Sequence, residues 1–149
     1  MPELDYAVLG DYVRVEGGVA HIIAAGIDQI SAPETPTGQN VGLLIRVRFA
    51  RTECGRPHRL EVIFQDMDGT RLSQINSTTE PVWSDDLPAT WRVGVLLGIN
   101  FGIPLPSYGE YAFDILINDS LVKTIPLMVR PRFPDVPDYL PEFPPADDE

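Results

Sequence analysis

The sequence predicts an all-β protein, an antiparallel sandwich of about eight strands followed by an extended C-terminal tail. Three observations carry that expectation. Apolar and polar residues alternate through several runs, most regularly in 41–49, 91–101 and 111–129. Gly, Asp and Asn punctuate the chain about every ten residues, the spacing of hairpin turns. No stretch shows the three-to-four spacing of an amphipathic helix. At 149 residues the chain fits one domain, residues 4–130, plus a tail, residues 131–149.

Near the N-terminus, residues 11–16 alternate with Val13 and Val15 on one face, and Gly17-Gly18 supplies the positive φ of a tight turn. Residues 19–30 run back as one strand with Val19, His21, Ile23, Ala25 and Ile27 on a face. The other face has little polarity, so this strand is expected to be covered on both sides. Residues 31–39 are a Pro/Thr/Gly loop, and 41–49 is a strong strand with Val41, Leu43, Ile45, Val47 and Phe49 inward. Residues 50–57 are a loop. Residues 58–65 form a strand burying Leu60, Val62 and Phe64, 66–70 turn it, and 71–75 return.

A longer polar connection covers 76–88. The strand at 91–101 points Trp91, Val93, Val95, Leu97, Ile99 and Phe101 one way; Gly94 and Gly98 on its other face suggest close approach or a bend. The closing hairpin sets Tyr111, Phe113, Ile115 and Ile117 inward, turns at Asn118-Asp119-Ser120, and returns with Leu121, Ile125, Leu127 and Val129 alternating. Two facing sheets would bury the odd-numbered faces of 41–49, 91–101 and 111–117. At about 1.5–3 kcal/mol per buried side chain, that is enough apolar surface for a core without disulfides or metals.

Charge narrows the function classes. Twenty-two acidic against 11 basic residues leave a net charge of -11, and all but Lys123 of the basic residues are Arg. Phosphate binding needs clustered positive charge, so nucleic acid and anionic membranes are not expected partners. One cysteine, Cys54, permits no intrachain disulfide and suits a reducing compartment. The first residues lack the basic and apolar regions of a signal peptide, and no run approaches the length of a membrane span. A cytoplasmic setting is the expectation.

Few residues offer chemistry. Asp66-Met67-Asp68-Gly69 opens like a calcium loop, but Ile75 stands where the loop needs Glu, and Asp-Gly between alternating strands is a hairpin turn. Cys54 and His58 are spaced as C-x3-H, yet His21 is the one other His and a structural zinc needs four ligands. No nucleophile elbow is present. Glu80, Asp85 and Asp86 read as an acidic loop. Arg46 and Arg48 share a strand face with Arg92 on a similar one, a row suited either to solvation or to an acidic peptide. The tail holds six prolines and six acids, with Phe133, Val136, Tyr139, Leu140 and Phe143 set among them. So much proline excludes a central strand and leaves either a solvated tail or an extended binding segment.

Three stretches together resemble a family of small bacterial proteins of unknown function with an immunoglobulin-like β-sandwich. They are DYVRVEGGVAHIIAAGIDQI (11–30), HRLEVIFQDMDGTRL (58–72) and GEYAFDILINDSLVKTIPLMV (109–129). The resemblance implies that fold and brings no activity, cofactor or catalytic residue with it. Gly18-Val19-Ala20 departs from the family, whose members often carry Lys after the glycines, and the acidic tail looks particular to this chain.

The expected function is therefore that of a non-enzymatic protein-interaction module without cofactor or metal. Its contacts would run through sandwich edges, the row Arg46, Arg48 and Arg92, or the tail residues Phe133, Tyr139, Leu140 and Phe143. A subunit of a repetitive assembly is the structural alternative. A metal-dependent hydrolase using Asp66, Asp68, Cys54 and His58 is the enzymatic one.

Overall fold

Two sheets close on one core in the structure, a computed structural model that describes residues 1–131. The protein is all-β. Its described strands are β1 (Glu3–Gly10), β2 (Tyr12–Glu16), β3 (Val19–Ile23), β4 (Gln29–Ser31), β5 (Thr37–Phe49), β6 (His58–Asp66), β7 (Arg71–Thr79), β8 (Val93–Leu105), β9 (Gly109–Ile117) and β10 (Ser120–Arg130). One sheet has the order β1-β5-β8 and the other β4-β10-β9-β6-β7. Hairpin β2–β3 is a small sheet of its own.

The alternation in the sequence builds the core directly. Val41, Leu43, Ile45, Val47 and Phe49 of β5 face Leu60, Val62 and Phe64 of β6 and Tyr111, Phe113, Ile115 and Ile117 of β9, all buried. Phe113 meets Phe64 at 4.8 Å within its sheet and Phe101 at 6.0 Å edge-on across the core, geometries that favour aromatic pairs. Tyr111 buries its ring and donates its hydroxyl to Ser107 O at 2.6 Å, which pins the crossover into β9.

The fold departs from expectation where tertiary contacts outweigh local pattern. Ten strands are described rather than about eight. Strand β1 has no clear signal in the sequence; ELDYAVLG alternates weakly, and a bulge between Leu4 and Tyr6 breaks its register against β5. Residues 19–30 are two strands, not one. Ala24 (φ 56°) and Gly26 (φ 84°) turn the chain, and Gly26 N–H donates to Leu9 O at 2.8 Å. The chain then crosses to the other sheet, where β4 runs parallel to β10. Consequently β3 is not covered on both sides: Val19, His21 and Ile23 are exposed, and Ala20 and Ile22 form the half-buried face.

Other boundaries also move, and β5 begins at Thr37, inside the stretch expected as a loop. Strand β8 starts after Trp91, which is 53% exposed rather than inward, and continues past Phe101 to bury Ile103 and Leu105. It tolerates Pro104 because an edge strand needs no second ladder there. Strand β7 runs on to Thr79, since its Ser and Thr residues suit a half-exposed strand. In β10 a bulge between Leu121 and Lys123 turns Leu121 outward (59% exposed) and packs Val122 against the core instead.

Hairpin β2–β3 lies on the outer face of the three-stranded sheet. Asn100 of β8 accepts from Val13 N–H at 2.9 Å and donates to Val13 O at 2.7 Å, so one amide side chain replaces a strand neighbour. Val13 is buried. A Cβ on Gly42 would sit 2.7 Å from Val13 N, and one on Gly98 3.0 Å from a Val15 methyl. Glycine at both places lets the hairpin close down.

Candidate functional site

The most developed polar cluster lies where β5 leaves the sheet and β6 begins. After Phe49 the chain makes a single 3-10 turn, Arg51–Glu53. Glu53 donates its N–H to Ala50 O at 2.9 Å, and its carboxylate accepts Ala50 N–H at 2.8 Å, so the two residues close the turn reciprocally. Glu53 is buried, with the Met1 ammonium at 3.1 Å and Arg92 Nη1 at 4.0 Å. Burial raises the pKa of its carboxyl, but the Ala50 N–H, the Met1 ammonium and Arg92 together outweigh burial and lower it.

His58, the first residue of β6, is buried against Phe49 with ring centroids 4.7 Å apart. Both its nitrogens are engaged. Nε2 lies 2.6 Å from Glu53 O, and Nδ1 lies 2.9 Å from Asn118 Nδ2. A neutral ring that donates from Nε2 and accepts at Nδ1 satisfies both contacts. Asn118 also accepts Arg59 N–H at 2.9 Å through Oδ1, which ties the β9–β10 turn to the start of β6. The imidazole therefore joins three segments and keeps no lone pair for a metal or a substrate proton. Cys54, the residue after Glu53, is half-buried, its Sγ 3.4 Å from Ala50 O. Burial and the Glu53 charge raise its pKa, so the thiol stays protonated and weakly nucleophilic.

The other two hydrolase candidates lie elsewhere. Asp66 ends β6, eight residues from His58, about 26 Å along an extended strand. Its Oδ1 accepts Asp68 N–H at 3.0 Å and Thr70 N–H at 2.9 Å, which fixes the β6–β7 turn with Gly69 at φ 79°. The fold does not bring Asp66 and Asp68 to Cys54 and His58. Among the described residues no group of three His, Cys, Asp or Glu side chains is arranged to hold a metal ion.

The arginine row is present but is not a free positive surface. Arg46 pairs with Asp5, the residue that the β1 bulge puts out of register, and its guanidinium lies over Gly94. Arg92 approaches Glu3 at 3.7 Å as well as Glu53, and its Nη1 is buried without a hydrogen bond. Arg48 sits opposite Glu3 in the β1–β5 register and makes no ion pair among the described residues. β1 thus returns carboxylates to the face that β5 makes basic. Phe133, Tyr139, Leu140 and Phe143 lie outside the described residues.

The edges of the two large sheets complete the inventory. β1 carries Glu3, Asp5 and a bulge; β4 is three residues long; β8 contains Pro104; the part of β10 beyond β4 contains Lys123 and Pro126. Each is a device that discourages pairing with another chain. β7 ends the five-stranded sheet, has a bulge at Leu72, and from Ser73 to Thr79 carries no charge and no proline. Sequence reading missed Glu53 and Asn118 as partners of His58, and no local signal marks them: Asn118 is 60 positions away.

Among solved structures, the chain is similar to the crystal structure of the C-terminal domain of wzt. The identity is 13% and the TM-score 0.47, covering 95% of this chain and 84% of that one, too distant a likeness to carry a functional argument. No curated protein matches. No helix among the described residues is long and apolar enough to cross a membrane. A family model spans residues 5–130, nearly all of both sheets, and by that match the chain belongs to a family of unknown function, DUF6941.

Proposed function

We propose that this protein is a non-enzymatic, cytoplasmic protein-interaction module that receives an extended strand of a partner protein along β7. The observation that carries the reading is the contrast among edges. β7 offers an uncharged, proline-free ladder of backbone groups over Ser73–Thr79, beyond a bulge at Leu72, while the other edges of the two large sheets are short, charged, bulged or proline-bearing. Strand addition draws its affinity from main-chain hydrogen bonds and its selectivity from alternate side chains. Outward on β7, Gln74 and Asn76 are cross-strand partners of Ile63 and Glu61, so an incoming strand would meet neutral amide groups first. The engagement of His58 and Asp66 in internal hydrogen bonds supports a binding role over catalysis. The lone, half-buried thiol suits a reducing cytoplasm.

A second copy is the other source of a strand, because β7 paired antiparallel with β7 would join two sheets about a two-fold axis. That version is the subunit of a larger assembly. Gln74→Lys with Asn76→Lys tests both, since edge lysines block strand addition without touching the core. Cross-links from partner protein to residues 72–79 that disappear in the variant, at unchanged thermal midpoint, support the module. Loss of a concentration-dependent dimer in light scattering supports the assembly. Unchanged cross-linking and unchanged mass in the variant sink the β7 reading.

A further inference from the structure

The two lateral sides of the sandwich are unequal. On one, β4 extends the five-stranded sheet beyond β10, and Ala7 and Leu9 of β1, Ile30 of β4 and Val129 of β10 are buried. On the other, both large sheets end, one at β7 and one at β8. There the inward row Val95, Leu97, Ile99 and Phe101 of β8 is half-buried, as are Leu72 and Ile75 of β7. Register aligns the two strands antiparallel. Phe49 pairs with Val93 and packs on His58, the cross-strand partner of Thr79. At the other end Phe101 meets Phe113, which is in register with Phe64 and, through it, with Ser73. An apolar seam therefore runs along the β7 ladder.

No charge interrupts it. β8 has none from Val93 to Leu105 and β7 none from Ser73 to Thr79, in a chain with 22 acidic and 11 basic residues. With β7 as the docking edge, on which this rests, we propose that the seam takes a partner-protein strand with a bulky apolar side chain at every second position and no charge across the paired stretch. The backbone of that strand completes the β7 ladder, and its apolar face covers Leu97 and Ile99.

Pairing fixes which side chains point inward. Ser73, Ile75, Ser77 and Thr79 are the half-buried row of β7, and Gln74, Asn76 and Thr78 the exposed one. A strand laid beside β7 continues the pleat, so its alternate side chains enter the seam and the others stay in water. The inward ones are stabilised by covering apolar surface. A charge among them would leave water with no opposite charge on either wall. A second copy is a poorer occupant. Its β7, paired antiparallel about an axis normal to the sheet, turns the same row inward, and of that row only Ile75 is large and apolar. A different protein, with a different alternation, therefore supplies the strand.

Two synthetic peptides test this on the full-length protein at physiological salt. Both carry the same Lys residues at each end for solubility and have the length to pair with Ser73–Thr79. Between the ends one alternates Val with Thr, the other Ser with Thr. Identical ends cancel the attraction of an acidic protein for Lys. In calorimetry the Val peptide binds more than about tenfold tighter than the Ser peptide. Leu97→Ser, or the milder Val95→Thr, narrows that ratio, and Gln74→Lys with Asn76→Lys abolishes binding of the Val peptide. Equal, measurable affinities for the two peptides overturn the seam proposal and leave the β7 reading standing, as does a ratio unchanged in both seam variants. Val-peptide binding that survives the lysine pair overturns both, because the peptide then sits elsewhere. Absence of Val-peptide binding overturns the seam proposal, and the cross-links to residues 72–79 judge the β7 reading separately. The peptide comparison uses the unaltered protein, so a variant that fails to fold does not obscure it.

Discussion

At the His58 end of β6 an imidazole and a carboxylate are held inside the protein and bonded to distant segments, while at the Asp66 end a carboxylate sits on an exposed turn. His58 and Glu53 are each 4% exposed, and their partners come from β6, the 3-10 turn and the β9–β10 turn. Asp66 bonds only the backbone of the next few residues. A hydrogen bond between distant segments adds cross-links between elements, and its loss leaves buried groups unpaired. A bond inside a turn stabilises that turn, and water replaces it at little cost. The same side-chain types therefore carry unequal weight at the two ends of one strand.

Replacing His58 tests the larger side. His58→Ala leaves buried Glu53 O without its partner and opens a void beside Phe49, costing about 3 kcal/mol in urea unfolding. A loss as small as that of a turn mutant would refute the difference between the two ends. Glu53→Gln keeps an acceptor for Ala50 N–H but removes the charge that faces Met1 and Arg92, and costs about 1–2 kcal/mol at neutral pH. Its pH dependence has a defined sign. A carboxyl lowered in the fold contributes stability above its unfolded value near 4.5, and that contribution is lost as pH falls through the folded value. The gap between wild type and Glu53→Gln closes on acidification; a gap that widens below pH 4.5 contradicts the assignment.

The Asp66 end gives smaller effects. Gly69 holds φ 79°, so Gly69→Ala costs about 1 kcal/mol from backbone strain alone. Asp66→Asn preserves the Oδ1 acceptor and changes stability by under about 0.5 kcal/mol. Thermal midpoints ranked in this order would sharpen the contrast. An Asp66→Asn effect as large as that of His58→Ala would show that the turn is coupled to the core.

The strands that bury a full alternating face were legible in the sequence. Periodicity of two placed Val41 to Phe49, Leu60 to Phe64 and Tyr111 to Ile117 on the core side, because burial of one face dictates which residues are apolar. The weakly patterned β1 was not legible, since its place depends on β5 offering an edge. The break at Ala24–Gly26 was hidden by apolar residues that suit either a strand or a corner. The Asp-Gly turn of the Asp66 end was legible because all its bonds are local. The His58 cluster was not, because its partners stand 5 and 60 positions away. The arginine row was readable as three residues on outward faces, but the acids that pair with Arg46 and Arg92 come from β1, a strand the pattern did not show, and from Glu53 of the 3-10 turn.

By itself the sequence determined that the chain is all-β, which faces of its central strands are inward, and where the turns at Gly17-Gly18, Asp68-Gly69 and Asn118-Asp119 fall. Those properties follow from local dihedral preferences and from the two-residue period of a half-buried strand. Tertiary structure alone decided which strands share a sheet, which edges stay open, and which polar groups are consumed inside. Those depend on pairings between residues tens of positions apart, whose free energy is set by register and burial rather than by any neighbour in the chain.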